Sequence, residues 1–543
     1  MYVKIIWAFL AVACLLTLFG FISYYAIDFP FIDDYNALFD FIIKYLETDD
    51  LGLRLHYIIR QHNEHRVAFT RLMVLVDYYV FGAVNLRHLI FLSTLNLVAI
   101  GALFIYEVLK ITRNLLALTP IIFIFFHFQH TGNLLWAESS LQNSSVISLA
   151  CVSIWLFTKK SPLYSALGLL IAIVTTFSSG PGPLIWFAII PLLLVSPGKI
   201  KIASVLVVGG FSLFFYFHSY HSSFIGATNW LKKIVEIPVV VLGLIGSLSD
   251  IHEKENHAFP VFFGAILVGT FVFFMFKNGW EEIKRRSSMQ FLIGVFLFGL
   301  LSALAISLGR GSFIENRYKI ISSVCLLATY VASLSYIVRY QKWGILNMFN
   351  GTAFLFWLLL FWRYYPEMAT DRQRKIADYK SQSNSPDINP FSPFKFRLNM
   401  LRKLGIGSPP VLKDYEKRND NAATREIKKI NSIKEGNKFS VEHDDVNNTS
   451  GEAYLVMTSD SSKVFYPFLR ERNTLFDFMT SGNIYTGKKN VAMYREWAPR
   501  GTYQVSIFFP KQNRTIVTSD TIQNNNSAPP WLTYRAFNDE FPP

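Results

Sequence analysis

Charged side chains are scarce in this chain. Asp, Glu, Lys and Arg make up 17% of its 543 residues, whereas soluble domains carry about 25%. Apolar residues make up 52% and are concentrated in uncharged runs. Several runs reach the ~20 residues that cross about 30 Å of hydrocarbon as a helix. A soluble enzyme, a fibre and a disordered chain are therefore excluded, and we predict a polytopic all-α membrane protein.

Cysteine is scarce as well. The three residues Cys14, Cys151 and Cys325 all lie within apolar runs, so they form no evident disulfide framework or thiolate metal site. We interpret them as small buried apolar residues. The net charge of +14 does not mark a nucleic-acid-binding domain, because the basic residues of the apolar part fall mostly in short loops. No nucleic-acid partner is expected.

The apolar runs predict eleven membrane spans. The first, 3–27, is too long for a signal peptide and lacks a small-residue cleavage site, so we expect it to be retained with the N-terminus in the cytoplasm. The other predicted spans are 87–109, 115–130, 144–158, 163–178, 183–197, 202–217, 259–276, 290–309, 318–338 and 345–362.

Basic residues in the short loops set the predicted orientation. Positive loops stay in the cytoplasm, and eleven spans send all five basic loops there: Lys110/Arg113, Lys159/Lys160, Lys199/Lys201, Lys284/Arg285/Arg286 and Arg339/Lys342. The apolar segment Val239 to Leu248 is short for a crossing, and we interpret it as re-entrant or interfacial. The C-terminus is then periplasmic.

Composition predicts three regions. Residues 1–362 form the transmembrane domain, whose first periplasmic loop, 28–86, carries interfacial helices. Residues 363–440 form a polar, weakly structured linker, and residues 441–543 form a small periplasmic β-rich domain. Short apolar pieces predict strands at Tyr454 to Met457, Lys463 to Tyr466 and Gly501 to Phe509, the last entered by a turn at 498–501.

Asp33 and Asp34 lie just after the first span. Adjacent carboxylates can supply a general base or metal ligands; alternatively, Asp34 caps the stretch Asn36 to Leu46, which we expect to be an amphipathic helix at the membrane interface.

The cluster His62, Glu64, His65 and Arg66 follows in the same loop. At helical i,i+3 spacing the two histidines would share one face and could bind a metal or an anion. The spacing is not that of a zinc protease, and a solvated charged face is the alternative.

Two further clusters fall in predicted periplasmic loops. Trp136 offers a flat ring for stacking on a sugar, and Glu138 and Gln142 would share a helix face; a membrane-interface tryptophan is the alternative. The turn 178–183 could present backbone N–H groups to an anion, or be an ordinary turn.

The fifth cluster contains Arg310, Arg317 and Tyr318 between two spans. Two arginines here run against the positive-inside trend. Arginine suits bidentate phosphate binding, while snorkelling at the interface is the alternative.

Together these features resemble the GT-C superfamily of polyprenyl-phosphate-sugar glycosyltransferases. More narrowly, residues 1–340 are similar to the bacterial serotype-converting O-antigen glucosyltransferases that modify lipopolysaccharide. The motifs that carry the resemblance are short, and their order and predicted topology make them specific: Asp33-Asp34, Asn63-Glu-His-Arg66, Trp136 with Glu138 and Gln142, Ser178-Ser-Gly-Pro-Gly182, and Gly309-Arg310 through Asn316-Arg317-Tyr318.

The resemblance implies a catalytic base at Asp33 or Asp34 and donor-phosphate binding by Arg310, Arg317 and Tyr318. His62, Glu64, His65, Arg66, Trp136, Glu138 and Gln142 are then expected to bind the sugars. A divalent metal is not favoured, because single-phosphate donors usually do without one, and no cofactor is expected.

The expected function is inverting transfer of a hexose, such as glucose, from undecaprenyl phosphate to O-antigen or another envelope glycan at the bacterial inner membrane. The expected partners are this lipid-linked donor, the glycan acceptor and membrane lipids. Two alternatives stay open: a lipid-linked glycan flippase or other transporter, and an O-antigen polymerase.

Overall fold

The chain divides into two compact units. One comprises Met1–Ala26 and Ile32–Tyr364, and the other Ile27–Phe31 and Tyr365–Pro543. The computed structural model describes residues 2–30, 33–195, 198–221, 230–251, 258–310, 314–384, 424–427, 432–434, 438–449, 451–460, 463–494 and 501–524.

The first unit is helical. A π-helix at Asp34–Phe39 precedes α2, and a two-stranded hairpin lies between α3 and α4. In chain order the elements are α1 (Tyr2–Tyr25), α2 (Asp40–Glu47), α3 (Leu51–Ile59), β1 (Gln61–His62), β2 (His65–Arg66), α4 (Ala68–Phe81), α5 (Leu86–Ile111), α6 (Thr119–Phe125), α7 (Thr131–Leu135), α8 (Ala137–Phe157), α9 (Pro162–Thr176), α10 (Ile185–Val195), α11 (Lys199–Phe217), α12 (Trp230–Ile245), α13 (Ala258–Asn278), α14 (Trp280–Arg285), α15 (Ser287–Arg310), α16 (Lys319–Arg339) and α17 (Trp343–Asn384).

Eight of the described helices are long and apolar enough to cross a membrane, which indicates a membrane protein. They are α1, α5, α8, α11, α13, α15, α16 and α17. Three of the predicted spans correspond to shorter apolar helical segments, Leu115–Phe125, Pro162–Thr176 and Gly182–Val195. The count of eleven spans stays a prediction.

Three predicted boundaries differ from the structure. Helix α8 begins at Ala137, seven residues before the predicted span, because Asp34 caps it from a distant part of the chain. The predicted span 115–130 stops being helical after Phe125. Helix α17 continues past residue 362 to Asn384, because the polar residues that follow are largely good helix formers. The predicted linker is therefore helical over 363–384.

The segment after the first helix also differs. Phe39, Phe41 and Ile42, predicted to lie in the interface, are buried within the unit, although the stretch is helical as expected. Helix α3 instead exposes apolar side chains, with Leu51 at 70% and Leu55 at 54%. It is the better candidate for an interfacial helix.

The basic loops lie at the opposite end of the helices from the polar clusters. Lys110, at the end of α5, is 3.5 Å from the Ser287 hydroxyl at the start of α15. Lys201, near the start of α11, donates to the carbonyl of Phe157 at the end of α8. The predicted separation of basic loops from the polar clusters is therefore present in the structure.

The second unit contains two sheets. Its elements are β3 (Thr424–Ile427), β4 (Ser432–Lys434), β5 (Lys438–Glu442), α18 (Asp444–Asn448), β6 (Tyr454–Thr458), β7 (Lys463–Pro467), β8 (Leu469–Arg472), α19 (Leu475–Ser481), β9 (Tyr485–Tyr494), β10 (Gly501–Phe509) and β11 (Arg514–Asn524). The strand orders are β3-β11-β10-β6-β7 and β4-β5-β9-β8.

The three predicted strands are confirmed as β6, β7 and β10; the turn predicted before β10 falls partly outside the described residues. Side chains alternate across β6: Leu455 and Met457 join one apolar cluster, and Tyr454 and Val456 join another that contains Ile376 of α17. The five-stranded sheet is therefore buried on both faces.

Candidate functional site

The cluster around His62 is a β-hairpin rather than a helix. His62 pairs directly with His65, and Gln61 pairs with Arg66. Asn63 takes the left-handed conformation, with φ of 48°, which asparagine tolerates better than most residues. The predicted i,i+3 helical face is wrong, but the hairpin still places the two histidines opposite each other.

Arg66 holds this hairpin against the end of α11. Its guanidinium donates to the carbonyl of Tyr216 at 2.8 Å, of His218 at 2.6 Å and of Ile59 at 2.8 Å. The Tyr220 hydroxyl donates to the Glu64 carbonyl at 3.0 Å. Three donors of Arg66 are taken up by backbone carbonyls, which gives it an architectural role; its sugar-binding role stays a prediction.

The turn after α9 packs closely against the hairpin. A Cβ on Gly180 would come within 2.5 Å of Nδ1 of His65, so a larger residue here would displace the imidazole ring. The Gln142 amide donates to the Ser179 hydroxyl at 3.0 Å. Three of the predicted clusters are therefore in direct contact.

Arg317 lies in a short 3₁₀ turn, Asn316–Tyr318, that leads into α16. Its side chain pairs with Glu315 and is 14% exposed. The guanidinium lies 5.4 Å from the ring centroid of Trp136 and 5.3 Å from that of Tyr318. Trp136 therefore contacts a cation, and its predicted stacking on a sugar stays a prediction.

Asp34 is buried and binds the start of α8. Its Oδ1 accepts the backbone N–H of Glu138 at 2.8 Å, where the positive end of the helix dipole favours a carboxylate. Asp34 therefore caps a helix, as one alternative foresaw, but the helix is α8 rather than the one that follows it. Glu138 is buried in the first turn of α8 and interacts electrostatically with Arg317.

A cavity of about 350 Å³ joins these clusters. Its polar lining includes Glu64, His65, Gln142, Arg317 and Tyr318, all of which the sequence singled out. Asn143, Ser179, Tyr216 and Tyr220 complete the polar part of the lining.

The rest of the cavity wall is largely apolar, with side chains from α8, α15 and α16 and from the turn before α10: Val146, Ile147, Pro181, Pro183, Leu184, Ala305, Ile306, Leu308, Ile320 and Ile321. Small-molecule sites commonly measure about 300–1,000 Å³ and combine an apolar wall with a few polar groups.

Several predicted site residues do not belong to this lining. Among the residues that the structure describes, the cavity wall does not include Asp33, Asp34, His62, Arg66, Trp136 or Glu138. The side chain of Arg310 lies outside the described residues. The lining thus contains only part of the predicted site, while Trp136 contacts Arg317 and Asp34 binds the start of α8.

The surroundings of His62 favour its neutral form. Burial and the neighbouring charges of Arg71, His65 and Arg60 lower its pKa to about 3. It contacts the Asn63 amide at 3.4 Å. A neutral imidazole still offers one N–H donor and one acceptor nitrogen, so metal or anion binding by this cluster stays a prediction.

A second cluster of polar residues is buried in the helical unit, and the sequence analysis did not predict it. The ammonium of Lys319 donates to the carbonyl of Asp250 at 2.8 Å and to the Tyr364 hydroxyl at 3.2 Å, and lies 3.6 Å from the Asp250 carboxylate. The Gln129 amide donates to the same carbonyl at 3.2 Å. We name Lys319, Asp250, Tyr364 and Gln129 the Lys319 network.

Two histidines lie beside the Lys319 network. His127 and His130 stack with ring centroids 4.4 Å apart, and Nε2 of His130 is 3.3 Å from the Ser323 hydroxyl. The signal for this region was a group of three polar residues, His127, Gln129 and His130, in an otherwise apolar run.

Within the described ranges there is no group of three or more His, Cys, Asp or Glu residues that could hold a metal ion. Metal independence stays a prediction.

The geometry defines a helical unit, with eight described helices long and apolar enough to cross a membrane and a part-polar, part-apolar cavity at one end of its helices. No protein-family model matches the chain, and no curated protein matches it.

Proposed function

We propose that this protein is a membrane glycosyltransferase of the GT-C type. It would transfer a hexose, most simply glucose, from undecaprenyl phosphate to O-antigen or another envelope glycan. The reaction would take place on the periplasmic face of the bacterial inner membrane, with eleven spans, a cytoplasmic N-terminus and a periplasmic C-terminus.

The observation that carries the proposal is the composition of the cavity. Arg317 supplies a cation at a wall that is otherwise largely apolar, which suits a ligand with a charged phosphate on a hydrocarbon chain. The guanidinium has five donors, so Glu315 does not exhaust it. Glu64, His65 and Gln142 supply groups that can bind sugar hydroxyls.

The residue that we assign as the general base is chosen from the cavity lining. Glu64 belongs to the lining, whereas Asp34 binds the helix terminus behind it. We therefore assign the general base to Glu64 and a positioning role to Asp34, in place of the assignment implied by the family resemblance. Asp33 stays an alternative for the base.

The proposed step is a single displacement with inversion. The acceptor hydroxyl oxygen bonds to the anomeric carbon as the bond from that carbon to the phosphate oxygen breaks. The hydroxyl proton passes to the Glu64 carboxylate, and the electron pair leaves with the polyprenyl phosphate. Arg317 stabilises the charge that develops on the phosphate.

Transfer can be tested with membranes that contain the protein. They are incubated with undecaprenyl-phosphate-[¹⁴C]glucose and candidate glycans, and the products are separated. We expect label in a glycan as a single added sugar. A longer glycan backbone would indicate a polymerase, and no covalent change with any acceptor would contradict the transferase proposal.

One observation favours a transporter as the second candidate. The Lys319 network places a buried ion pair beside the non-helical stretch after α6, and transporters use broken helices and buried charges to bind and release substrate. Movement of a fluorescent lipid-linked sugar across proteoliposomes, without any change of bond, would support this candidate.

A further inference from the structure

One helix of the second unit exposes large apolar side chains. Among its described residues, the large apolar side chains that are exposed all belong to α19: Leu475 at 39%, Phe476 at 75% and Met479 at 58%. The remaining large apolar groups of its strands are mostly packed into the two clusters of the sheets. The three side chains therefore form one apolar patch rather than scattered exposure.

The hairpin that carries α19 is well ordered by its hydrogen bonds. The Thr474 hydroxyl accepts the N–H of Asp477 at 3.1 Å, and Gly482 ends the helix with φ of 72°. The Asn473 amide donates to the carbonyls of Asn483 and Tyr485. These hydrogen bonds fix the turn that exposes the apolar side chains of α19.

Basic residues flank the same helix. Arg470 and Arg472 on β8 and Lys488 on β9 are exposed, and their acidic neighbours are Glu471 and Asp477. An apolar tip with positively charged residues beside it is an arrangement that binds a lipid surface with anionic headgroups.

We propose that the tip of α19 inserts into the surface of a membrane rich in anionic lipid. Leu475, Phe476 and Met479 would enter the acyl boundary, while Arg472 and Lys488 contact headgroup phosphates. The inference rests on the membrane assignment of the helical unit and not on the proposed transfer reaction.

Two features favour lipid over a second protein chain. Helix α17 contains a candidate membrane span and its last residues belong to the second unit, so this unit is covalently linked to a membrane helix. Three side chains also expose an area on the order of a few hundred Å², which is less than the ~800 Å² per partner of a stable protein interface.

The test uses the full chain in nanodiscs that hold one molecule each. Thr480→Cys introduces an exposed thiol beside the apolar tip, and the three native cysteines are buried. This thiol carries an environment-sensitive dye, and nitroxide-labelled lipids quench dyes at the membrane. Lys511→Cys, on an exposed turn of the same unit, is the matched control, and dye-treated unmutated protein gives the background.

We expect strong quenching at position 480 in anionic nanodiscs and little at 511. Adding Phe476→Ser and Met479→Ser should remove most of the quenching. Adding Arg472→Gln and Lys488→Gln should reduce it at low salt more than at high salt, because salt screens the headgroup attraction.

Three results would overturn the proposal. The first is equal quenching at the two positions, and the second is quenching that survives the serine substitutions. The third is cross-linking of position 480 between two chains in detergent together with no quenching in nanodiscs, which would assign the tip to a second copy.

Discussion

The cavity and the Lys319 network are both polar regions of an apolar helical unit, but they use their polar groups differently. In the network, Lys319, Gln129 and Tyr364 direct donors at one another and at the backbone of Asp250. In the cavity, Arg317, Glu64 and Gln142 border an open volume. The difference indicates that burial and charge alone do not identify a reactive site, since a ligand also needs space beside the groups that bind it.

The largest expected effect is at the cavity. Glu64→Gln should lower transfer by about 10²–10⁴-fold, because the amide cannot accept the proton of the acceptor hydroxyl. The rate of labelled-sugar transfer in membranes measures this, with expression checked in parallel. Glu281→Gln, an exposed carboxylate in α14, is the matched control. Normal transfer by Glu64→Gln would remove the base assignment.

The Lys319 network should respond through stability. Lys319→Met removes the cation beside the buried Asp250 carboxylate and should cost about 3–5 kcal/mol of unfolding free energy. Thermal unfolding in detergent measures the loss, and Lys284→Met at an exposed site is the control. Adding Asp250→Asn should recover part of the loss. A fully stable Lys319→Met protein without activity would instead place Lys319 in the reaction.

Asp34 distinguishes positioning from catalysis. Asp34→Ala removes the cap of α8 and should cost about 0.5–2 kcal/mol, while Asp34→Asn retains an oxygen that can accept the Glu138 N–H. We therefore expect the asparagine variant to keep most of its transfer rate. If Asp34→Asn abolishes transfer in a stably folded protein while Glu64→Gln is active, the two roles must be exchanged.

The smallest expected effect is a pH dependence at His62. The folded state lowers its pKa from the ordinary 6.5 to about 3, so the unfolded chain binds the proton first. Stability should fall as pH drops below 6.5, by at most about 2 kcal/mol at pH 5. Comparing thermal unfolding of the unmutated protein and His62→Gln at pH 7 and 5 measures this. An identical pH response in the two proteins would show that His62 does not contribute.

The sequence predicted which polar clusters meet better than it predicted their local structure. The long uncharged runs and the basic loops between them predicted that the polar clusters lie at one end of the helices and the basic loops at the other. The structure has this separation. The hairpin at His62 was mistaken for a helix, because a six-residue polar stretch has no periodicity. The cap of α8 by Asp34 joins residues 104 positions apart, which no local pattern records.

The Lys319 network was not predicted either, because its residues are also far apart in the sequence. Lys319 follows Arg317 and resembles one more charge at the end of a span, while Asp250 lies at the end of an apolar segment too short for a confident crossing. Only the packing of α16 against the segment around 250 brings the two together. The strands of the sheet were easier to predict from the sequence, because the alternation of side chains along β6 and β10 reflects the faces that these strands bury.

Binding of the donor lipid by Arg317 is the most direct test of this account. Purified protein and Arg317→Gln are titrated with undecaprenyl phosphate in detergent, and the apparent affinity is read from the stabilisation against thermal unfolding. Arg54→Gln, at a partly exposed arginine outside the cavity lining, is the control. The account predicts binding by the unmutated protein and the control, weakened about 10- to 100-fold in Arg317→Gln. Equal stabilisation of all three proteins, or none in any of them, would contradict it.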